Sequence, residues 1–263
     1  MNSLISVNYK FMELSPKELV SLVLEYKYTK GIEIYVDNNK ENELKYLDDL
    51  VYELKRNNLI LQVHAEVSLD YNKQLNFMKK LEEYSSYLEK PIVVTFHSIY
   101  DDNKNESVDK TVDYLSRLVK DINTNKLIIC LENLNCLNGL DRLNKEDIRP
   151  TVLNDEKIYF TYDIGHEMAG FSNYTNIDKY MLEDIRNVHI HTIDETMLDH
   201  KPIYLNDKHW NEIIKALIFL EVNNYKYNIV FEYGLDYCYG TTTVEKIRDY
   251  LKSIDEVSKR YKD

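Results

Sequence analysis

Apolar residues along this chain follow two alternating rhythms. Short, nearly continuous runs rich in Ile, Val, Tyr and Phe occur at Leu4–Val7, Ile32–Val36, Ile60–His64, Ile92–His97, Leu127–Glu132, Ile158–Asp163, Val188–His191 and Ile229–Glu232. This is the pattern of strands buried on both faces. Longer amphipathic stretches separate them. The first opens on Ser15-Pro16-Lys17-Glu18, a capping box with proline at the first helical position. Its Leu19, Val20, Leu22, Val23 and Leu24 then fill one broad face. Further helices are predicted over 42–56, 72–88, 107–122, 174–185, 207–221 and 242–258. The stretch 136–153, with Pro150 near its end, has the weakest rhythm and reads as loop with a short helix. Eight strand–helix pairs within 263 residues predict an α/β fold, a single closed (β/α)8 barrel. No linker or low-complexity segment divides it, so residues 1–263 form one domain.

Composition narrows the chemistry. Six glycines and four prolines are few for this length, which disfavours a turn-dense all-β fold. No two glycines stand one residue apart, so no dinucleotide fingerprint exists. The one G-x-x-x-x-G, Gly165 to Gly170, continues as Phe171-Ser172 where a phosphate-binding loop needs Lys. No nucleotide cofactor is expected. A net charge of −12 disfavours a long polyanion such as nucleic acid as partner. No apolar run reaches membrane-spanning length, and the N-terminus lacks a signal-peptide pattern. Cys130, Cys136 and Cys238 are odd in number and unpaired in spacing, so reduced thiols in a cytoplasmic protein are expected. The 23 tyrosines read as composition bias and helix–sheet packing. The charged runs Glu41–Glu43 and Lys79–Glu83 read as solvated helix faces.

Ionisable residues fall where a barrel would use them. His64, His97 and His191 end strand runs, and His166 follows one by three residues. Glu132, Asp163 and Glu232 hold equivalent positions. In such a barrel the C-terminal strand ends converge on one mouth, the place of the active site. A charge ending a buried strand has no cheap structural excuse, because an unpaired buried carboxylate costs several kcal/mol. Mixed imidazoles and carboxylates suit a divalent metal, Mn or Zn first, with Mg, Fe and Co as alternatives. Glu132 and Glu232 could also act as paired acid and base for a substrate chelated between them. His189 lies a layer deeper than His191 on one strand face and reads as a packed residue. His209 reads as a helix-surface histidine.

These residues lie in VHA at 63–65, VVTFHS at 93–98, ICLENLN at 129–135, YDIGH at 162–166, HIHTID at 189–194, DHKPI at 199–203 and VFEYG at 230–234. The ordered set resembles the xylose isomerase-like TIM-barrel superfamily, which holds sugar isomerases, epimerases and the endonuclease IV family. The resemblance implies that Glu132, Asp163, His191 and Glu232 hold one divalent metal, with Glu132 and Glu232 moving the proton. His166 would then meet substrate. Through the endonuclease branch it implies a second metal at His64 and His97 bridged by Glu132, and a further one at His166 and His200. The sequence departs from both branches. The position two residues before His200 is Leu198, with Asp199 adjacent, and residues 192–199 contain no Arg.

Two enzyme classes follow from the resemblance. One is a metal-dependent isomerase or epimerase of a sugar or sugar phosphate. The other is a two- or three-metal phosphoesterase acting on abasic-site DNA or a small phosphodiester. A metal-binding barrel without catalysis is the minor alternative. A small-molecule partner is expected, no membrane, and a homo-oligomer is compatible with the chain.

Overall fold

The computed structural model describes the chain except residues 69, 100–103, 135–156, 171–176, 178–181, 197 and 263. Eight parallel strands close in sequence order: β1 (Asn2–Val7), β2 (Thr29–Val36), β3 (Ile60–Ala65), β4 (Ile92–Phe96), β5 (Leu127–Glu132), β6 (Ile158–Asp163), β7 (Ile185–Ile190) and β8 (Asn228–Phe231). Around them stand α1 (Pro16–Leu24), α2 (Glu41–Arg56), α3 (Tyr71–Leu88), α4 (Lys104–Asp121), α5 (Ile164–Gly170), α6 (Trp210–Val222) and α7 (Thr243–Lys262). The (β/α)8 barrel expected from the rhythm is the fold.

One strand parity faces the helices and is apolar. Ile32, Ile34, Leu61, Val63, Val94, Phe96, Ile129, Leu131, Val188 and Ile190 join one core with helix residues such as Leu19, Leu47, Leu81 and Ile254. Each such side chain contributes about 1.5–3 kcal/mol by leaving water. The other parity faces the barrel axis and departs from the continuous apolar reading. Glu33, Gln62, Thr95, Thr161, Asn187 and His189 are fully buried there, where branched apolar side chains usually fill a barrel. The inward parity therefore mixes these polar residues with Val93, Cys130 and Val230, and it leads up to the mouth.

The strand boundaries shift little, but the shifts matter. His97, His191 and Glu232 stand one residue beyond β4, β7 and β8, at the rim, where the Glu232 N–H still donates to the Ile190 carbonyl at 3.0 Å. The helix expected over 174–185 is corrected where the structure describes it. Residues 182–184 form a turn and Ile185 opens β7, while most of the remainder lies outside the described residues. The first helix after β6 is instead the short α5, which begins directly at Ile164. The stretch 136–153 and Cys136 lie outside the described residues. Cys130 and Cys238 are buried free thiols. Among the described residues, no helix is long and apolar enough to cross a membrane.

Candidate metal centre

At the C-terminal end of the barrel, side chains from β3 to β8 converge on Glu132. Its position at the end of β5 leaves it fully buried. On one side His64 Nε2 and His97 Nε2 lie 3.4 and 3.2 Å from Glu132 Oε2, and 3.0 Å from each other. On the other, His166 Nδ1 lies 3.5 Å from Glu132 Oε1. From below, His189 Nδ1 meets Glu132 Oε1 at 3.1 Å and Glu232 Oε2 at 2.8 Å. Asp163 Oδ2 is 3.9 Å from the same nitrogen.

Local structure fixes each group. Asp163 ends β6 and accepts the backbone N–H of His166 across the first turn of α5, at 2.7 Å. Asn133 clamps the same strand end: its Oδ1 accepts the Asp163 N–H at 2.7 Å and its Nδ2 donates to the Asp163 carbonyl at 2.9 Å. Gly165 makes room for His191, since a Cβ there would stand 2.1 Å from the imidazole Cε1. His191 Nε2 approaches Asp163 Oδ1 at 3.2 Å. His200 stacks on His191 with ring centroids 4.5 Å apart, and its backbone takes a left-handed φ of 57°. That strained conformation is held by an antiparallel bridge, Thr192 to Lys201, and by Gly234 N–H donating to the His200 carbonyl at 2.7 Å. His200 Nδ1 pairs with Asp199 Oδ1 at 2.9 Å, and its Nε2 lies 3.5 Å from Glu232 Oε1. The adjacent aspartate thus joins the group although the position two before His200 is leucine.

Charge is closely balanced. Burial pulls the His64 imidazole down and His97 beside it adds to that, to about 3, so His64 is neutral. Burial also opposes charge on His166, yet Asp163 and Glu132 outweigh it and push the group up to about 9. His189 and His200 are likewise raised well above the usual imidazole value, their carboxylate neighbours overcoming burial. Glu132 and Glu232 sit well below the ordinary carboxylate range, because the surrounding imidazoles, His189 first, outweigh burial.

The expected ligand residues are therefore gathered at one mouth, with a refinement. Glu132, Asp163 and Glu232 offer atoms within 4.8 Å of one another together with His189, whereas His191 groups with His166 and His200, and His64 and His97 group with Glu132. Hydrogen bonding separates the two β7-side histidines. Both nitrogens of His189 are engaged, Nδ1 by Glu132 and Nε2 by Glu33. His191 Nε2, Glu132 Oε2, Asp163 Oδ2 and Glu232 Oε2 are buried and meet neighbours only at ion-pair distance, with no well-aligned hydrogen bond. Such buried polar atoms are costly. One on each of four converging residues, of nitrogen and oxygen type, is the donor set a divalent cation satisfies. The residues fit a metal.

Sequence reasoning missed Glu33, Asn133 and Asn187. Glu33 had a signal, a lone acid inside the apolar run Ile32–Val36. Asn133 and Asn187 had none, because their partners are fixed only by strand register. His209 is buried just ahead of α6 and has no place in this group.

A closed parallel (β/α)8 barrel with a histidine–carboxylate cluster at its C-terminal mouth defines a broad class of barrels. Within it, this chain belongs to the xylose isomerase-like TIM-barrel family, whose profile matches residues 23–254. In fold it is similar to the D-psicose 3-epimerase of Clostridium cellulolyticum H10, at TM-score 0.64 and 13% identity over 99% of this chain and 100% of that one. The 3-keto-D-glucoside 4-epimerase of E. coli gives 0.66 and 13% over 97% and 99%. An AP endonuclease of family 2 from Brucella melitensis gives 0.67 and 13% over 92% and 95%. No curated protein matches the chain in sequence.

Proposed function

We propose that this protein is a divalent-metal-dependent isomerase or epimerase of a sugar or sugar phosphate, with Glu132, Asp163, His191 and Glu232 as ligands. The observation that carries the reading is a buried nitrogen or oxygen without a well-aligned hydrogen bond on each of those four converging residues. The imidazole-and-carboxylate set suits manganese or zinc. An ion there would polarise a carbonyl and the neighbouring hydroxyl, acidifying the C–H between them. The chain supplies the rest. Glu132 and Glu232 reach in from β5 and from the end of β8, three strands apart. One would take the proton from one face of the carbon and the other return it to the opposite face. His166 would donate to a substrate oxygen. The two epimerases that share the fold point the same way. A cytoplasmic setting belongs to the same proposal and rests on the few, unpaired cysteines.

A second reading, a phosphodiester hydrolase, is favoured by the His64–His97–Glu132 group and by the endonuclease among the fold's neighbours. The charge of −12 favours a small phosphodiester over DNA as its substrate.

The test is an ion count on the purified protein, followed by exchange of substrate C–H hydrogen with solvent deuterium across a panel of ketoses. Glu132→Gln and Glu232→Gln should each abolish exchange while far-UV circular dichroism stays unchanged. Exchange retained in both variants, or absent from the wild type with every ketose, would end the proton-transfer reading.

A further inference from the structure

Beneath the metal centre lies a carboxylate that nothing above requires. Glu33 sits in the middle of β2, pointing into the barrel, and is fully buried. A charge there needs a reason, since removing a carboxylate from water costs several kcal/mol and a branched apolar residue would fill the space without it. Its partner is His189, whose Nε2 lies 3.1 Å from both Glu33 oxygens. Asn187 Nδ2 donates to Glu33 Oε2 at 3.2 Å and to Thr95 Oγ1 at 3.3 Å, and Thr95 and Thr161 share a hydroxyl bond of 2.9 Å. The carboxylate is thus held from β7 by His189 and Asn187, and Asn187 is tied in turn to Thr95 on β4.

The other edge of the His189 ring carries the consequence. Nδ1 faces Glu132 Oε1 at 3.1 Å and Glu232 Oε2 at 2.8 Å. An imidazole gripped by carboxylates on both edges can neither rotate nor flip its ring without breaking a charge-assisted hydrogen bond. It therefore fixes where the two glutamates above it point. Glu33, on the far side of the ring from the mouth, cannot reach a substrate.

We propose that Glu33 and His189 form a buried strut that aims Glu132 and Glu232 at the metal, with Glu33 acting through His189 as a positioning residue. The inference rests on the metal-centre reading above and adds to it a residue outside the ligand set. Groups that orient ligands typically carry 10- to 100-fold in metal affinity. A residue acting only through another adds nothing once the intermediary is gone.

The experiment is calorimetric titration of the full chain with Mn(II) alone, for wild type, Glu33→Gln, His189→Asn and the double variant. Glu33→Gln should weaken Mn(II) binding about 10- to 100-fold with the ion count unchanged. In the His189→Asn background the same change should alter affinity by less than about 2-fold. The electron paramagnetic resonance spectrum of bound Mn(II) should also change in Glu33→Gln, which a purely structural role would leave alone. Affinity within about 2-fold of wild type in Glu33→Gln, or an equal loss in both backgrounds, overturns the strut while leaving the metal centre standing. Loss of one ion per chain in His189→Asn makes His189 a ligand and also overturns it. If Glu33→Gln does not fold, Glu33→Asp keeps the charge but retracts it, and wild-type affinity in that variant overturns the proposal. A wild type that takes up no divalent ion overturns the metal-centre reading and the strut together.

Discussion

The two flanks of Glu132 are built from similar residues and hold them differently. On the β3–β4 flank, His64 and His97 bring their Nε2 atoms within 3.0 Å of each other, and both lean on the same oxygen, Glu132 Oε2. On the β6–β7 flank no two of His166, His191 and His200 lean on the same oxygen. His166 and His191 use Asp163, and His200 uses Asp199 with Glu232 behind it. That flank is an ion-pair network, though Asp163 Oδ2 and His191 Nε2 in it still lack a well-aligned hydrogen bond. The first leaves a neutral imidazole facing another nitrogen, with His64 Nδ1 lacking any hydrogen-bond partner. Two nitrogens and one shared carboxylate would also gain from a cation. On the proposed metal reading, the β3–β4 flank would decide whether the mouth takes a second ion, and with it which of the two proposed reactions applies.

The largest effect should come from removing that flank. Wild type in excess zinc is expected to bind a second ion beyond the one at Glu132, Asp163, His191 and Glu232. His64→Ala combined with His97→Ala should bind one ion fewer per chain. Ketose hydrogen exchange should survive the double change, because neither imidazole belongs to the acid–base pair. Unchanged stoichiometry would remove the second site and leave the flank as a hydrogen-bonding wall. Loss of an ion together with loss of a phosphodiesterase activity would move the function to the hydrolase reading.

Much of the barrel and its rim was legible in the sequence, because a charge at the end of an apolar run is a local signal. Glu132, Asp163 and Glu232 announce themselves that way, and so do His64 and His97. What stayed hidden depends on register around the closed sheet. His189 and His191 differ by two residues on one strand face, and spacing alone cannot say which one has a free nitrogen. That follows from Glu33, which arrives from β2 to occupy His189. Asp199 shows the same limit. Counting positions back from His200 reaches Leu198, while the chain's turn brings Asp199 to His200 and within 3.8 Å of His166. The helix expected over 174–185 runs into β7, because that strand begins earlier, at Ile185, than its most apolar stretch.

A smaller effect is expected on the β6–β7 flank from a residue with no side chain. In Gly165→Ala the new Cβ would stand 2.1 Å from His191 Cε1 and 2.2 Å from Nδ1, closer than atoms can pack. The ring cannot retreat freely, because His200 stacks on it at an interplanar angle of 10°. The variant should lose about 1–3 kcal/mol of stability, the usual cost of overpacking. It should also lose about tenfold in Mn(II) affinity, the low end of the loss seen when a ligand is displaced from its orientation. A thermal melt and a metal titration separate the two effects. Wild-type affinity in a destabilised protein would mean that His191 is not a ligand.

The smallest effect marks where the metal centre ends. The strand β1 runs out at Val7 with no histidine or acid at the rim, and the helix after it is secured by its own cap. Ser15 Oγ accepts the Glu18 N–H at 3.4 Å, and the Glu18 carboxylate accepts the Ser15 N–H at 2.9 Å. Ser15→Ala removes that reciprocal pair and exposes orphan donors at the start of α1, a loss of about 1 kcal/mol. For a domain of this size the melting temperature should fall by about 2–4 °C. The Mn(II) titration should be unchanged, since α1 packs Leu19, Val20, Leu22 and Val23 into the hydrophobic core and contributes no residue to the histidine–carboxylate groups of the mouth. If Ser15→Ala weakened ion binding as much as Gly165→Ala, affinity would be tracking global stability rather than the geometry of His191. The contrast between the two flanks would then lose its meaning as a map of metal sites.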